Sequence, residues 1–195
     1  MEYIIGSDEV GYGAWAGPLF VCAVAVPTNW KAPGGLDDSK KLTPAERVFL
    51  YGEHLQRLPM SIKLVENTYI DAVGVKTALL EAHAAAVLAL LQDYPDAHVI
   101  IDGVLRPPGL PERTRCLPRA DSIFPPVSAA SIIAKVNRDF VMRQYHEQFP
   151  MYGFDTSVGY GTKKHQDALE RYGPCPIHRL SYRPLQKYRT KVAPT

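Results

Sequence analysis

A mixed α/β sheet covered by helices is the architecture this 195-residue sequence predicts. Three observations carry it. Residues 19–26 (LFVCAVAV) form an unbroken, valine-rich apolar run, as in a strand buried on both faces. Residues 99–103 (VIIDG) are a second such run, ending in an acid and a glycine. Between and after these runs lie segments with helical periodicity and helix-start signals, and strands alternating with helices build a covered sheet. Hydrophobic residues make up 46% of the chain and charged residues 22%, which excludes a disordered chain and supplies a full core.

In chain order, Tyr3-Ile4-Ile5 opens a short strand that ends near Glu9, before the glycine turn Gly11-Tyr12-Gly13. After the strand at 19–26, residues 27–42 contain Pro33, Gly34, Gly35 and Asp37-Asp38 and read as loop. Thr43-Pro44-Ala45-Glu46 is a capping box with proline at the first helical position, and the helix it opens is expected to reach about Arg57, with Pro59 as its stop. Residues 61–66 (SIKLVE) alternate as a half-buried strand does, and 78–91, dense in Ala and Leu, form a long buried helix closed by Pro95. Residues 106–112 hold three prolines and are loop, and 115–117 are a candidate edge strand. Ile132, Ile133, Val136, Phe140 and Val141 place a helix over 128–145. Gly159-Tyr160-Gly161 is a turn, 163–172 a short helix, and the proline-bearing tail from Gly173 is expected to be mostly irregular.

Charge is nearly balanced, 22 Lys+Arg against 20 Asp+Glu, but unevenly placed. Residues 163–195 carry eight basic and two acidic side chains, a net of +6, and residues 1–162 a net of −4. A basic tail on a mildly acidic body suggests a polyanionic partner. Cys22, Cys116 and Cys175 are too few and too scattered for a disulfide framework or a cysteine zinc site, and Cys22 lies in an apolar run and reads as core. The N-terminus has no signal-peptide pattern and no apolar run reaches the ~18 residues of a membrane span, so a cytoplasmic protein without membrane contact is expected.

Four acids stand out by position. Asp8 and Glu9 close the first strand, Asp102 closes the strand at 99–101, and Asp121 precedes a helix. Loops beyond strand ends are where α/β sheets bind ligands. Carboxylates grouped there repel one another unless a cation neutralises them, and an all-oxygen set suits Mg²⁺ or Mn²⁺ rather than zinc. Taken singly, each has an ordinary reading as well: surface turn acids, a turn pair at Asp102-Gly103, a helix cap at Asp121. Consecutive strand residues point to opposite faces, so Asp8 and Glu9 share a site only if the strand twists or ends there. Gly11-Tyr12-Gly13 allows close backbone approach with exposed N–H groups. Lys40 and Lys41, just before a helix start, suit a phosphate. Tyr160, between two glycines, offers an exposed ring for stacking on a base or sugar. His165 and His178 belong to no evident triad, and either could hold structure or a phosphate; His178 is read as structural.

Read together, these blocks resemble the type 2 ribonucleases H. Gly6-Ser-Asp-Glu-Val-Gly-Tyr-Gly-Ala-Trp-Ala-Gly-Pro18 is similar to the family's opening D-E-x-G-x-G motif. Asp38-Ser-Lys-Lys-Leu42, then Asp121 with Ala129-Ala-Ser-Ile-Ile-Ala-Lys-Val-Asn-Arg-Asp139, then Gly159-Tyr-Gly-Thr162 with His165, His178 and Arg179 follow in family order. The length fits the bacterial ribonuclease HII type, the HIII type carrying an extra N-terminal domain. The resemblance implies a ribonuclease H-like mixed five-stranded sheet flanked by helices, with a small helical C-terminal extension. It implies one catalytic domain over 1–195, with 173–195 as a basic, proline-rich extension, acting as a monomer.

The same resemblance makes Asp8, Glu9, Asp102 and Asp121 the catalytic carboxylates that bind Mg²⁺ or Mn²⁺ for two-metal hydrolysis on the 5′ side of ribonucleotides. The implied partners are RNA–DNA hybrids and DNA duplexes containing ribonucleotides. Gly11-Tyr12-Gly13 would recognise the ribose 2′-hydroxyl, Tyr160 would stack on the neighbouring deoxyribose, and Lys40 or Lys41 would contact a phosphate. One position departs from the pattern: the family's HII members usually have Arg between the two glycines, where this chain has Tyr12. Two other readings remain open, a metal-dependent nuclease of the same fold with no need for a 2′-hydroxyl, and a non-catalytic hybrid-binding module.

Overall fold

The computed structural model describes residues 1–36 and 41–191. Five strands form one mixed sheet in the order β3-β2-β1-β4-β5: β1 Tyr3–Val10, β2 Leu19–Pro27, β3 Met60–Val65, β4 His98–Asp102 and β5 Thr114–Leu117. β1 pairs antiparallel with β2 and parallel with β4, and β4 pairs parallel with β5. The helices are α1 Pro44–Leu50, α2 Asn67–Val73, α3 Val75–Leu91, α4 Pro125–Gln148, α5 Phe154–Ser157 and α6 Lys163–Tyr172. The architecture is the mixed five-stranded sheet with flanking helices that the sequence led us to expect.

The strand assignments at β1, β2, β3 and β4 hold to within two residues, because each rests on an apolar run or, for β3, on a clear polar–apolar alternation. Seven successive β2 side chains, Phe20 to Val26, are at most 4% exposed, as a central strand covered on both faces requires. The capping box at α1 is present in full: Thr43 N donates to Glu46 Oε2 at 2.7 Å, and Glu46 N to Thr43 Oγ1 at 3.3 Å. That helix changes character earlier than expected. Residues 51–55 form a π turn in which Gln56 N donates to Tyr51 O, five residues back, at 2.9 Å. α2 and α5 are not apparent from periodicity, and the tail expected to be mostly irregular holds a 3-10 helix over Arg183–Lys191.

The chain forms two compact units. The first comprises Met1–Val10, Phe20–Leu64 and Leu79–Asn137, within the described residues. It holds the sheet and a cluster in which Ile4, Ile100, Leu117, Ala120 and Val127 pack together. Gly6 lets β1 lie close to the start of α4, since a Cβ there would overlap the Pro126–Val127 backbone. The second comprises Gly11–Leu19, Val65–Ala78 and the described residues from Arg138 on. Its core gathers Ala16, Met142, Phe154, Leu169 and Leu185. Asn67 joins α2 to this unit by donating through Nδ2 to the carbonyls of Pro176 and His178, at 2.9 and 3.1 Å. Among the described residues no single helix is long and apolar enough to cross a membrane. All three cysteines are free, and Cys22 is fully buried.

Candidate active site

The pleat of β1 sorts its side chains. Ser7 and Glu9 face α3, where Ser7 Oγ donates to Cys22 O at 2.9 Å and meets His83 Nδ1 at 2.8 Å. Gly6 and Asp8 face α4. The parallel register pairs Gly6 with Ile100 and Ser7 with Ile101, so one step further Asp8 lies beside Asp102 at the C-terminal ends of two adjacent strands. Asp121 reaches the same place from the 3-10 turn Ala120–Ser122, and Asp102 Oδ1 fixes that turn by accepting from Ala120 N at 2.7 Å. Asp8, Asp102 and Asp121 each offer an oxygen within 4.8 Å of the other two, and Asp8 and Asp121 are almost wholly buried.

Glu9 does not belong to that three-oxygen group. Its Oε2 stands 3.7 Å from His83 Nε2 on the other face of the strand, while its own N–H donates to Asp8 Oδ1 at 2.7 Å. The electrostatics follow this division. Burial, then the charges of Glu9 and Asp102, hold the Asp8 carboxyl well above the ordinary carboxylate range. Burial, with Asp121 and Glu9 adding, raises Asp102 despite the Ala120 N–H. Burial would also raise Glu9, but the His83 imidazole beside it brings its carboxyl below the usual value. Two acids whose charges are resisted by burial and by neighbouring carboxylates fit a cation, which reverses the sign of that cost. The all-carboxylate donor set fits a hard divalent ion.

The other predicted residues lie in the second unit, apart from Lys41, which is exposed two residues before the α1 cap, and Lys40, which lies outside the described residues. Arg179 Nη1 donates to the carbonyls of Gly11 and Tyr12 at 2.6 and 3.1 Å, and the Tyr182 hydroxyl also donates to Tyr12 O. Both peptides are trans, so the N–H groups of Tyr12 and Gly13 point away from that guanidinium. Gly11 sits at φ +90, and a Cβ there would fall onto Arg138 Nε. Arg138, fully buried, donates to Pro18 O, Val158 O and Ala16 O at 2.9, 2.8 and 3.1 Å. Burial pulls its guanidinium down only to about 10, so it stays charged at neutral pH.

Tyr160 is 37% exposed and its ring edge lies 3.9 Å from where a Gly13 Cβ would stand, with the Arg138 guanidinium 5.8 Å from the ring centre. Val158, at φ +40, is a strained β-branched residue beside this turn. The structural roles of the two buried arginines are not legible in the sequence. A guanidinium buried against carbonyls carries no periodicity or composition signal, and in the tail's net charge Arg179 counts like any surface cation although it is fully buried.

The Ribonuclease HII family model matches residues 5–184. The ribonuclease HII of Rhizobium johnstonii is 40% identical over 184 residues, covering 94% of this chain and 79% of the relative. The ribonuclease HII in the PCNA:RNase HII complex from Archaeoglobus fulgidus superposes with a TM-score of 0.71 at 25% identity, over 97% of both chains. The Bst-RNase HIII structure in complex with Mn²⁺ shares the fold at 22% identity and a TM-score of 0.74, over 97% of this chain and 70% of that one. The sequence match spans both units and every described block singled out above, and the chain therefore belongs to the ribonuclease HII family of endoribonucleases.

Proposed function

We propose that this protein cleaves the phosphodiester on the 5′ side of ribonucleotides, in RNA–DNA hybrids and in DNA duplexes with embedded ribonucleotides, leaving 3′-hydroxyl and 5′-phosphate ends. The observation that carries this reading is the convergence of Asp8, Asp102 and Asp121 at two strand ends and one turn, with oxygens within 4.8 Å of one another and Asp8 and Asp121 buried. These three, with Glu9, would hold Mg²⁺ or Mn²⁺. When bound there, divalent cations supply a deprotonated water at neutral pH and offset the charge that develops on the phosphate and the leaving oxygen.

The chain's own residues do the rest. The Ala120 N–H and the Glu9 N–H orient the Asp102 and Asp8 carboxylates, so the acidic oxygens are preorganised. The outward N–H groups of Tyr12 and Gly13 are donors suited to a ribose 2′-hydroxyl, a group that distinguishes RNA from DNA. Because Arg179 and Tyr182 hold that loop by its carbonyls, recognition through the backbone does not need an arginine side chain at position 12. Tyr160 would stack on the sugar next to the ribonucleotide. Lys40, Lys41 and the exposed Arg183, Lys187 and Arg189 would hold backbone phosphates, the last three as part of a basic 173–195 extension of one monomeric catalytic domain.

The test is cleavage of three otherwise identical duplexes, with one ribonucleotide, with none, and with a 2′-O-methyl group. The reading expects cutting of the first alone. Equal cutting of all three points to a nuclease indifferent to the 2′-hydroxyl. Binding without cutting under any divalent cation points to a binding module. Tyr12→Arg is expected to change single-ribonucleotide cleavage by less than about threefold, a difference under about 1 kcal/mol; a large gain would refute recognition by the backbone.

A further inference from the structure

His165 and His178 meet head to head, with Nε2 to Nε2 at 2.9 Å and both rings buried. At that distance one nitrogen donates and the other accepts, and the flanking bonds decide which. Cys175 N donates to His178 Nδ1 at 2.9 Å, so that nitrogen carries its lone pair and the proton sits on Nε2. His165 Nδ1 lies 2.9 Å from the carbonyl oxygen of Tyr160, which can only accept, so this nitrogen carries the proton and His165 Nε2 accepts. The reverse arrangement, His178 Nδ1–H to Cys175 O at 3.2 Å, would set lone pair against lone pair between the neutral rings. The bonds therefore run one way, from Cys175 N–H through His178 and His165 to Tyr160 O.

The surroundings keep both rings neutral. Trp15, Tyr152 and Phe154 pack around them. The titratable groups that face the pair are the Cys175 thiol, 3.1 Å from His178 Nδ1, and the Tyr152 phenol, which donates to Gly173 O at 2.6 Å. Burial pushes these up to about 11 and about 12, so neither is charged at neutral pH. Burial also holds both imidazoles below their ordinary value.

The Gly159–Gly161 turn is gripped from two sides. Trp15 N and Ala16 N donate to Gly159 O at 2.8 and 3.2 Å, and His165 Nδ1 holds the next carbonyl along, that of Tyr160. We propose that the His165–His178 pair is a positioning device for Tyr160, a neutral one-way hydrogen-bond chain that fixes the peptide carrying the ring presented to substrate. This inference rests on the reading of Tyr160 as a substrate-stacking residue.

The experiment combines imidazole ¹⁵N spectra with steady-state kinetics on a duplex holding one ribonucleotide. The spectra of the wild type should show Nδ1–H on His165 and Nε2–H on His178 between about pH 8 and pH 6. His165→Phe keeps the ring packing and loses both bonds; KM should rise about tenfold with kcat within about threefold, the signature of lost positioning in binding. His165→Asn can still donate to Tyr160 O and should restore KM to within about threefold, whereas His165→Gln, which reaches toward His178 instead, should not. The Asn and Gln pair keeps the test decisive if the Phe variant does not fold. Reversed tautomers, or Asn and Gln variants with the same KM, would overturn the proposal. Tyr160→Ala separates it from the reading beneath it: an unchanged KM there would remove the stacking role, while the tautomers still report on the chain of bonds.

Discussion

Glu9 Oε2 lies 3.7 Å from His83 Nε2, on the face of β1 opposite the one that carries Asp8. The two adjacent acids thus have different surroundings. Asp8 is among carboxylates, and Glu9 is against an imidazole whose other nitrogen meets Ser7 Oγ. His83→Ala removes the imidazole that does most to favour the charged form of the partly exposed Glu9 carboxylate. We expect a loss of roughly 1 kcal/mol, the order of a partly exposed polar contact, read as a lower urea midpoint at unchanged slope.

The acidic cluster costs the fold stability when no cation is bound. Asp8 is held above the ordinary carboxylate value, so its ionisation opposes folding: that cost is absent below the unfolded pKa and grows as pH rises toward the folded one. Asp8→Asn should therefore raise the melting temperature in EDTA at neutral pH. Saturating Mg²⁺ or Mn²⁺ should stabilise the wild type, by about 2.7 kcal/mol at a hundred times Kd, and the variant much less. Calorimetry with and without cation reads both effects.

Acid should weaken the second unit through His178. Its imidazole is held down to about 4 by burial and then by His165. The unfolded chain therefore takes up a proton that the fold refuses. Stability is complete above the ordinary histidine value and falls as pH drops from about 6.5 toward about 4, by roughly 3 kcal/mol at most. His178→Gln should flatten that part of a stability-against-pH curve.

Gly11→Ala is expected to destabilise by roughly 2–4 kcal/mol, combining a left-handed backbone with overpacking against a buried guanidinium. The structural reason is φ +90 and the Arg138 Nε that a Cβ would meet. Selectivity for a ribonucleotide should fall with it, since the same loop aims the Tyr12 and Gly13 N–H groups. Chemical denaturation and a competition between ribo- and deoxy-substrates check the two parts.

Local signals were enough for much of this fold. The apolar runs of β2 and β4 announce central strands, and Thr43 and Glu46 announce a helix start that the structure reproduces bond for bond. The strand-end positions of Asp8 and Asp102 were legible, and so was the conflict between Asp8 and Glu9, because side chains alternate along a strand. What stayed hidden depends on tertiary partners. α2 is secured by Asn67 reaching carbonyls more than a hundred positions away, and the glycine loop is secured by Arg138 and Arg179, whose guanidinium groups read as ordinary surface charge in one dimension. The His165–His178 contact is likewise invisible without knowing that α6 and the tail bring the two rings together.

The central claim is metal-dependent cutting directed by a single 2′-hydroxyl, and one mapping experiment tests it most directly. A duplex with one ribonucleotide, labelled at both ends, is incubated with the wild type and with Asp102→Asn in Mg²⁺ and in Mn²⁺. The account predicts one cut, on the 5′ side of the ribonucleotide, leaving a 3′-hydroxyl, by the wild type alone. Cleavage elsewhere in the duplex, or undiminished cleavage by Asp102→Asn, would contradict it.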